Sequence, residues 1–162
     1  PASETIEVRI PGVDGVLGGL WVDMPNPHTV VELADEETLR GVTLPRIDVS
    51  RLAPGQRPSY APEPASGTNL ELVVDLTTPG SSLGHIAMRV LERGVGETAA
   101  ALATALRRGA TAPTQWVVDV PGGRVSVGLD GVIDWSGGTP RVTNASVLLT
   151  GPAMRVADIR LA

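Results

Sequence analysis

The sequence predicts an α+β fold, mainly an antiparallel β-sandwich or barrel with one kinked helical segment. Three observations carry this. Short alternating apolar runs recur along the chain, tight Gly/Pro turns separate the later ones, and helical spacing marks one central stretch. The 162 residues suffice for a single domain with an ordinary core, without metal or disulfide staples.

Residues 4–10 alternate Ile6, Val8 and Ile10 against Glu7 and Arg9, a half-buried strand stopped by Pro11 and Gly12. A second strand spans 16–24 and ends at Pro25-Asn26-Pro27. Shorter extended pieces, 29–34 and 41–49, flank the acidic turn Asp35-Glu36-Glu37. From 45 to 68 the chain reads as an extended arm or loop, punctuated by Pro54, Pro58, Pro62 and Pro64. Such backbone is polyproline-like and cannot enter a sheet interior.

Residues 69–77 alternate again, with Leu70, Leu72, Val74 and Leu76 on one face and Glu71 and Asp75 on the other. Ser81 or Ser82 then reads as the N-cap of a helix, because Leu83, Ile86, Ala87, Val90 and Leu91 recur at helical spacing. Gly94 and Gly96 kink it, and an alanine-rich half from Glu97 to Arg108 resumes. Strands follow at 114–120, 124–135, 141–150 and 154–161, the last a possible C-terminal arm within 152–162.

Composition removes whole classes of chemistry. There is no Phe, one Tyr and three Trp, so the core is aliphatic. Cysteine is absent, which excludes a disulfide framework, a thiol nucleophile and a thiolate metal site. All 13 basic residues are Arg, and the net charge of −5 gives no electrostatic footprint for gripping nucleic acid. No apolar run approaches the ~18 residues of a membrane span. Imidazole chemistry has two openings, His28 and His85.

The local motifs are weak. Gly80-Ser81-Ser82-Leu83-Gly84 matches G-x-S-x-G, but the only later histidine, His85, shares the serine's own turn, so a triad fails. Gly94 to Ala99 matches G-x-G-x-x-A with Asp119 beyond it, yet the preceding segment carries Arg89, Glu92 and Arg93, unlike a buried strand. The acidic turn lacks metal-ligand spacing. Asn144-Ala145-Ser146 matches a glycosylation sequon inside a predicted strand. Trp116 and Trp135 read as core or interface anchors. The expectation is therefore no enzyme, no catalytic residue, no cofactor and no metal.

The order of elements resembles the major tail proteins, or tail-tube subunits, of long-tailed bacteriophages. The residues carrying the resemblance are Pro121-Gly122, Gly131-Val132 with Trp135, Ser136-Gly137-Gly138 and the run from Val142 to Val147. In the first half, Gly19-Leu20-Trp21-Val22 and an extended connection ending near 48–55 are compatible. The resemblance implies a sandwich subunit that forms stacked, hexameric rings in a virion tail assembled in the host cytoplasm. Its partners would be copies of itself, the tape measure, terminator and tip proteins, and double-stranded DNA in transit, with no membrane. Glu71, Asp75, Asp119, Asp130 and Asp134 would then line the lumen, and Pro54, Pro58, Tyr60, Pro62 and Pro64 would form an inter-ring arm. The alternatives are another virion component, such as a decoration or tail-completion protein, and a small β-barrel binding protein or cyclase for an apolar ligand.

Overall fold

The computed structural model describes residues 5–24, 26–42, 53–91, 96–137, 139–143 and 145–152. Three strands come first, β1 (Thr5–Arg9), β2 (Leu17–Asp23) and β3 (Pro27–Glu32), paired as an antiparallel meander. In β1 the expected alternation holds, with Ile6 and Val8 buried and Glu7 and Arg9 exposed. The acidic run opens a short helix, α1 (Glu36–Gly41). Asp35 is its N-cap and accepts a 2.7 Å bond from the Thr38 N–H, while Glu36 and Glu37 sit in the first turn, where the helix dipole favours them.

In the Pro-rich stretch, Pro54–Gln56 form a 3-10 turn and β4 (Ser59–Ala61) joins the sheet beside β1, with Tyr60 opposite Val8. β4 is an edge strand, the one sheet position that tolerates flanking prolines such as Pro58 and Pro62. Pro64 is half-buried in the following turn. Residues 45–52 of the expected arm and 153–162 of the expected C-terminal arm lie outside the described residues.

The remaining elements are β5 (Asn69–Asp75), β6 (Leu83–Leu91), α2 (Glu97–Arg108), β7 (Gln115–Val120), β8 (Gly123–Gly128), β9 (Ile133–Asp134), β10 (Arg141–Val142) and β11 (Leu148–Thr150). Nine strands form one sheet in the order β11-β8-β7-β6-β5-β3-β2-β1-β4, and β9 pairs with β10 separately. The fold is thus α+β, as the sequence predicts, and its nine-stranded sheet is mixed. Two pairs, β3 with β5 and β6 with β7, are parallel. Parallel neighbours need crossovers. The first runs from β3 through α1 and β4, and the second is α2.

The central difference from the sequence reading is β6. Residues 83–91, expected as the first half of a kinked helix, are a nine-residue strand. Its burial is not alternating: Ile86, Ala87 and Met88 are consecutive and all buried, because helices and core lie on both faces here. A strand buried on both sides loses its period-two signature, and its apolar residues then fall by chance at helical spacing. The predicted strand at 141–150 is likewise two short pieces, β10 and β11, and Asn144 of the sequon lies outside the described residues.

Gly80-Ser81-Ser82-Leu83-Gly84 consequently runs from the end of the β5–β6 connection into the first two residues of β6, and is not a strand-to-helix elbow. Gly80 takes the positive φ of 78° that the turn requires, and Ser81 Oγ accepts from the Leu83 N–H at 3.1 Å and donates to the Leu83 carbonyl at 2.8 Å. Gly84 has a packing role. A Cβ there would collide with the six-membered ring of Trp116, which is fully buried and anchored by its Nε1–H to the Pro113 carbonyl at 2.8 Å.

Two apolar layers result, one on each face. On one, Ile6, Val8, Val31, Leu70, Leu72 and Val74 pack with Leu39 of α1. On the other, Val22, Val30, Val73, Ile86, Trp116 and Val127 pack with the buried side of α2, whose Ala99, Ala100, Ala101, Ala103 and Ala105 are at most 1% exposed. The space that the apolar-ligand alternative needs is occupied by this packing. Among the described residues no helix is long and apolar enough to cross a membrane.

Gly84→Ala is expected to destabilise the fold by about 1–3 kcal/mol, since the Trp116 ring has no room to retreat. Urea denaturation followed by tryptophan fluorescence measures this. An unchanged midpoint would show that the ring is not held against the strand.

Candidate functional site

The parallel β3–β5 pair places His28 opposite Asn69 and Val30 opposite Glu71. His28 and Glu71 therefore stand on the same face, beneath α2. His28 Nδ1 and Glu71 Oε1 lie 2.7 Å apart, with the two side chains 2% and 0% exposed. Glu71, expected to point outward, is among the most deeply buried residues of the protein. The reason is that β5 is central: α2 covers one face and the Leu39 layer the other, so neither face is solvent.

Gly96, which precedes α2, explains how the carboxylate fits. A Cβ there would stand 2.7 Å from Glu71 Oε1, so only glycine lets the carboxylate lie against the helix start. Gly96 supplies no side-chain cap, and the first-turn N–H groups of α2 have no intrahelical acceptor. This end of the helix carries a positive partial charge that favours anions. Gly96 is the second glycine of the G-x-G-x-x-A match, whose Gly94 and Val95 lie outside the described residues, and it serves Glu71. Glu71 Oε2 and Glu97 Oε2 are both buried and have no hydrogen-bond partner among the described residues. Burial pushes the Glu71 carboxyl above the ordinary carboxylate range, His28 pulls it back, and the nearby Glu97 charge adds to the rise.

The far end of α2 is held in the complementary sense. Arg108 is paired with Asp75, and Arg107 donates to the Val30 carbonyl at 2.6 Å and stands 3.9 Å from Glu32. Cations at the C-terminal end suit the helix dipole. α2 is thus aligned along β5, with Glu71 under its start and Asp75 under its end.

The second histidine sits on the opposite face, where the sheet is open. His85 Nε2 is 2.7 Å from Asp119 Oδ2, and Arg124 grips the same carboxylate from Nε at 2.5 Å and Nη2 at 3.0 Å. The Arg124 bonds, with help from His85, hold the Asp119 carboxyl down at about 2. Asp130 is exposed and bonded to Gln115, and exposed Asp134 accepts from the Ser136 N–H at 2.9 Å. The five acidic residues thus occupy five separate environments, and the structure brings none of them together. Sequence reasoning noted His28 only as one of two imidazoles. Its pairing depends on a parallel register between strands 43 positions apart, which no local pattern encodes.

Comparison with known proteins bears on what this arrangement does. No protein-family profile matches the chain. It is similar to proteins named diaminopimelate epimerase: 36% identical to that of Streptomyces coelicolor over 152 residues, 85% of this chain and 43% of the relative. The corresponding figures are 34% over 145 residues for Rhodococcus opacus (85% and 44%) and 31% over 160 residues for Azotobacter vinelandii (94% and 47%). The chain spans somewhat under half the length of the curated relatives it matches.

These relatives overturn the tail-tube resemblance, and with it the expectation of a non-enzymatic virion component, its tail partners and transiting DNA, and a virion location. The motifs behind that resemblance, PG and GG turns between short strands, occur in any antiparallel meander. The lumen role expected for Glu71, Asp75, Asp119, Asp130 and Asp134, and the inter-ring role expected for the 54–64 prolines and Tyr60, have no tube left to serve.

Asp119 offers a test of the second cluster. Its folded pKa lies below the ordinary 3.8, so its contribution is present above pH 3.8 and is lost as pH falls towards about 2. Because Asp119 is about a third exposed, Asp119→Asn is expected to cost only about 1 kcal/mol at neutral pH. Urea midpoints measured from pH 7 to pH 2 should show the variant losing less stability than the parent below pH 4.

Proposed function

We propose that the protein belongs to the machinery of an epimerisation at the α-carbon of an amino-acid substrate, diaminopimelate or a close analogue, and that His28 with Glu71 is its proton-handling group. The observation behind this is the buried His28–Glu71 pair seated at the uncapped start of α2.

Epimerisation at such a carbon removes one proton and returns one to the opposite face, so nothing is consumed. A carbon flanked by an ammonium and a carboxylate is a weak acid, and the step needs a base in place and stabilisation of the developing anion. This chain contains no cysteine, so a proton-transfer group drawn from its own residues must be nitrogen or oxygen. His28 fits. Its Nδ1 is engaged by Glu71, which fixes the ring and leaves Nε2 as the atom that exchanges a proton. The N–H groups at the start of α2 supply positive potential beside it without reorganisation.

The test is exchange of the substrate α-proton in D2O, followed by proton NMR with diaminopimelate. The protein should catalyse loss of the α-proton signal, and His28→Gln should slow it by about 10²–10³-fold, while Asp119→Asn should not change it. A folded protein that exchanges no α-proton overturns the reading.

A further inference from the structure

The acid–base reading assigns a role to His28 and Glu71 but leaves the open face of the sheet without one. A groove of about 230 Å3 lies there, between the β5–β6 connection and β8. Leu76, Leu83 and Val117 supply its apolar lining, Thr78 and Ser81 stand on the wall formed by the connection, and His85 and Arg124 make its polar side. His85 shares a face with Ala87, whose apolar layer is covered by α1 where that helix packs over β5 and β6. Beyond that cover, Leu83 is 48% exposed and Val117 is half-buried. The groove is therefore outside both packed layers of the fold.

Its polar side is set before any ligand arrives. Asp119 holds Arg124 through Nε at 2.5 Å and Nη2 at 3.0 Å, and lies 2.7 Å from His85 Nε2. The backbone beneath the imidazole is pinned as well. Thr77 Oγ1 accepts from the His85 N–H at 3.0 Å, and the Leu76 N–H donates to the His85 carbonyl at 2.8 Å. A guanidinium has five N–H donors in a rigid fork, enough to grip two carboxylates on two different edges. Asp119 takes the edge that contains Nε. The edge formed by Nη1 and the second Nη2 hydrogen has no partner among the described residues.

We infer that this groove binds the anion of a small aliphatic carboxylic acid, with its carboxylate on the free edge of Arg124 and its hydrocarbon on Leu76, Leu83 and Val117. At the roughly 30 Å3 that a water takes up in the liquid, the groove holds about eight non-hydrogen atoms, the size of hexanoate. Asp119 already offsets the Arg124 charge once. A single negative charge therefore suits the site, whereas a phosphate dianion would bring a second one against Asp119. Covering the exposed side of Leu83 removes apolar surface from water and favours a hydrocarbon body over a bare anion. The thickness of the sheet separates the groove from His28, so its occupant does not meet the proton-handling pair.

Titration of isotope-labelled protein with sodium hexanoate, followed by NMR, tests the site. Saturable shifts centred on Leu83, His85, Val117 and the Arg124 side chain are expected, with a Kd of about 1–10 mM, the strength that an eight-atom ligand sustains on an open groove. Hexanol, acetate and inorganic phosphate should each bind at least about 10-fold more weakly, because each lacks the charge, the hydrocarbon or the single charge that the groove matches. Arg124→Gln should remove the preference for hexanoate over hexanol, and Leu83→Gln the preference for hexanoate over acetate. Arg124 is 63% and Leu83 48% exposed, so both variants should fold, which circular dichroism checks. N-acetyl-glycyl-leucine, longer than the groove, should bind no more tightly than hexanoate; tighter binding would make the occupant a peptide end and overturn the small acid. Equal binding of hexanoate and hexanol, shifts scattered over the surface, or no saturation by about 50 mM would overturn the site itself. All of these readouts are independent of α-proton exchange, so failure here is distinct from failure of the epimerase reading.

Discussion

Everything in this fold is arranged around the seating of α2 on the sheet. A twelve-residue helix touches strands from β2 to β8, which requires its axis to come close to the sheet. The run of alanines on its buried side permits that approach, because each presents a single methyl group. Larger residues would lift the helix away and open the layer now filled by Val30, Val73, Ile86 and Trp116. The orientation of the helix is set at its ends, where Arg107 and Arg108 fix one turn and the Glu71 carboxylate meets the other. Close packing and end charges together decide which sheet residues come to lie at the helix start.

That arrangement accounts for the contrast between the two histidine–carboxylate pairs. His28 and Glu71 are desolvated beneath the helix start, whereas His85 and Asp119 lie on the open face with Arg124. The same two residue types therefore have opposite electrostatic characters. Burial raises the carboxyl of one pair, and a guanidinium lowers that of the other.

Much of the fold was legible in the sequence, because local chemistry dictated it. The alternation in β1, the hairpin glycines, the alanine-rich helix from Glu97 to Arg108 and the burial of Trp116 could all be read residue by residue. What escaped depended on the sheet as a whole. β6 was mistaken for helix because a strand covered on both faces has no polar side. Glu71 was read as outward-facing for the same reason: an alternating pattern says which residues share a face, not whether that face is solvent. The candidate site was hidden one level deeper, in a parallel pairing across an intervening 43-position separation and in the absence of a Cβ at Gly96. Either histidine alone looked ordinary.

The crossover between β3 and β5 has a consequence for how the molecule must assemble. From β3 the chain leaves the middle of the sheet, places β4 on its far edge beside β1, and returns to insert β5 between β3 and β6. Each strand of the large sheet from β4 onward adds at an edge already formed, but the β3–β5 pairing requires the long intervening loop to close first. β5 is also the strand that carries Glu71. The His28–Glu71 contact thus comes into being only when that loop closes, so a chain in which β3 and β5 are unpaired has no assembled acid–base pair. The site acts as a checkpoint on its own scaffold.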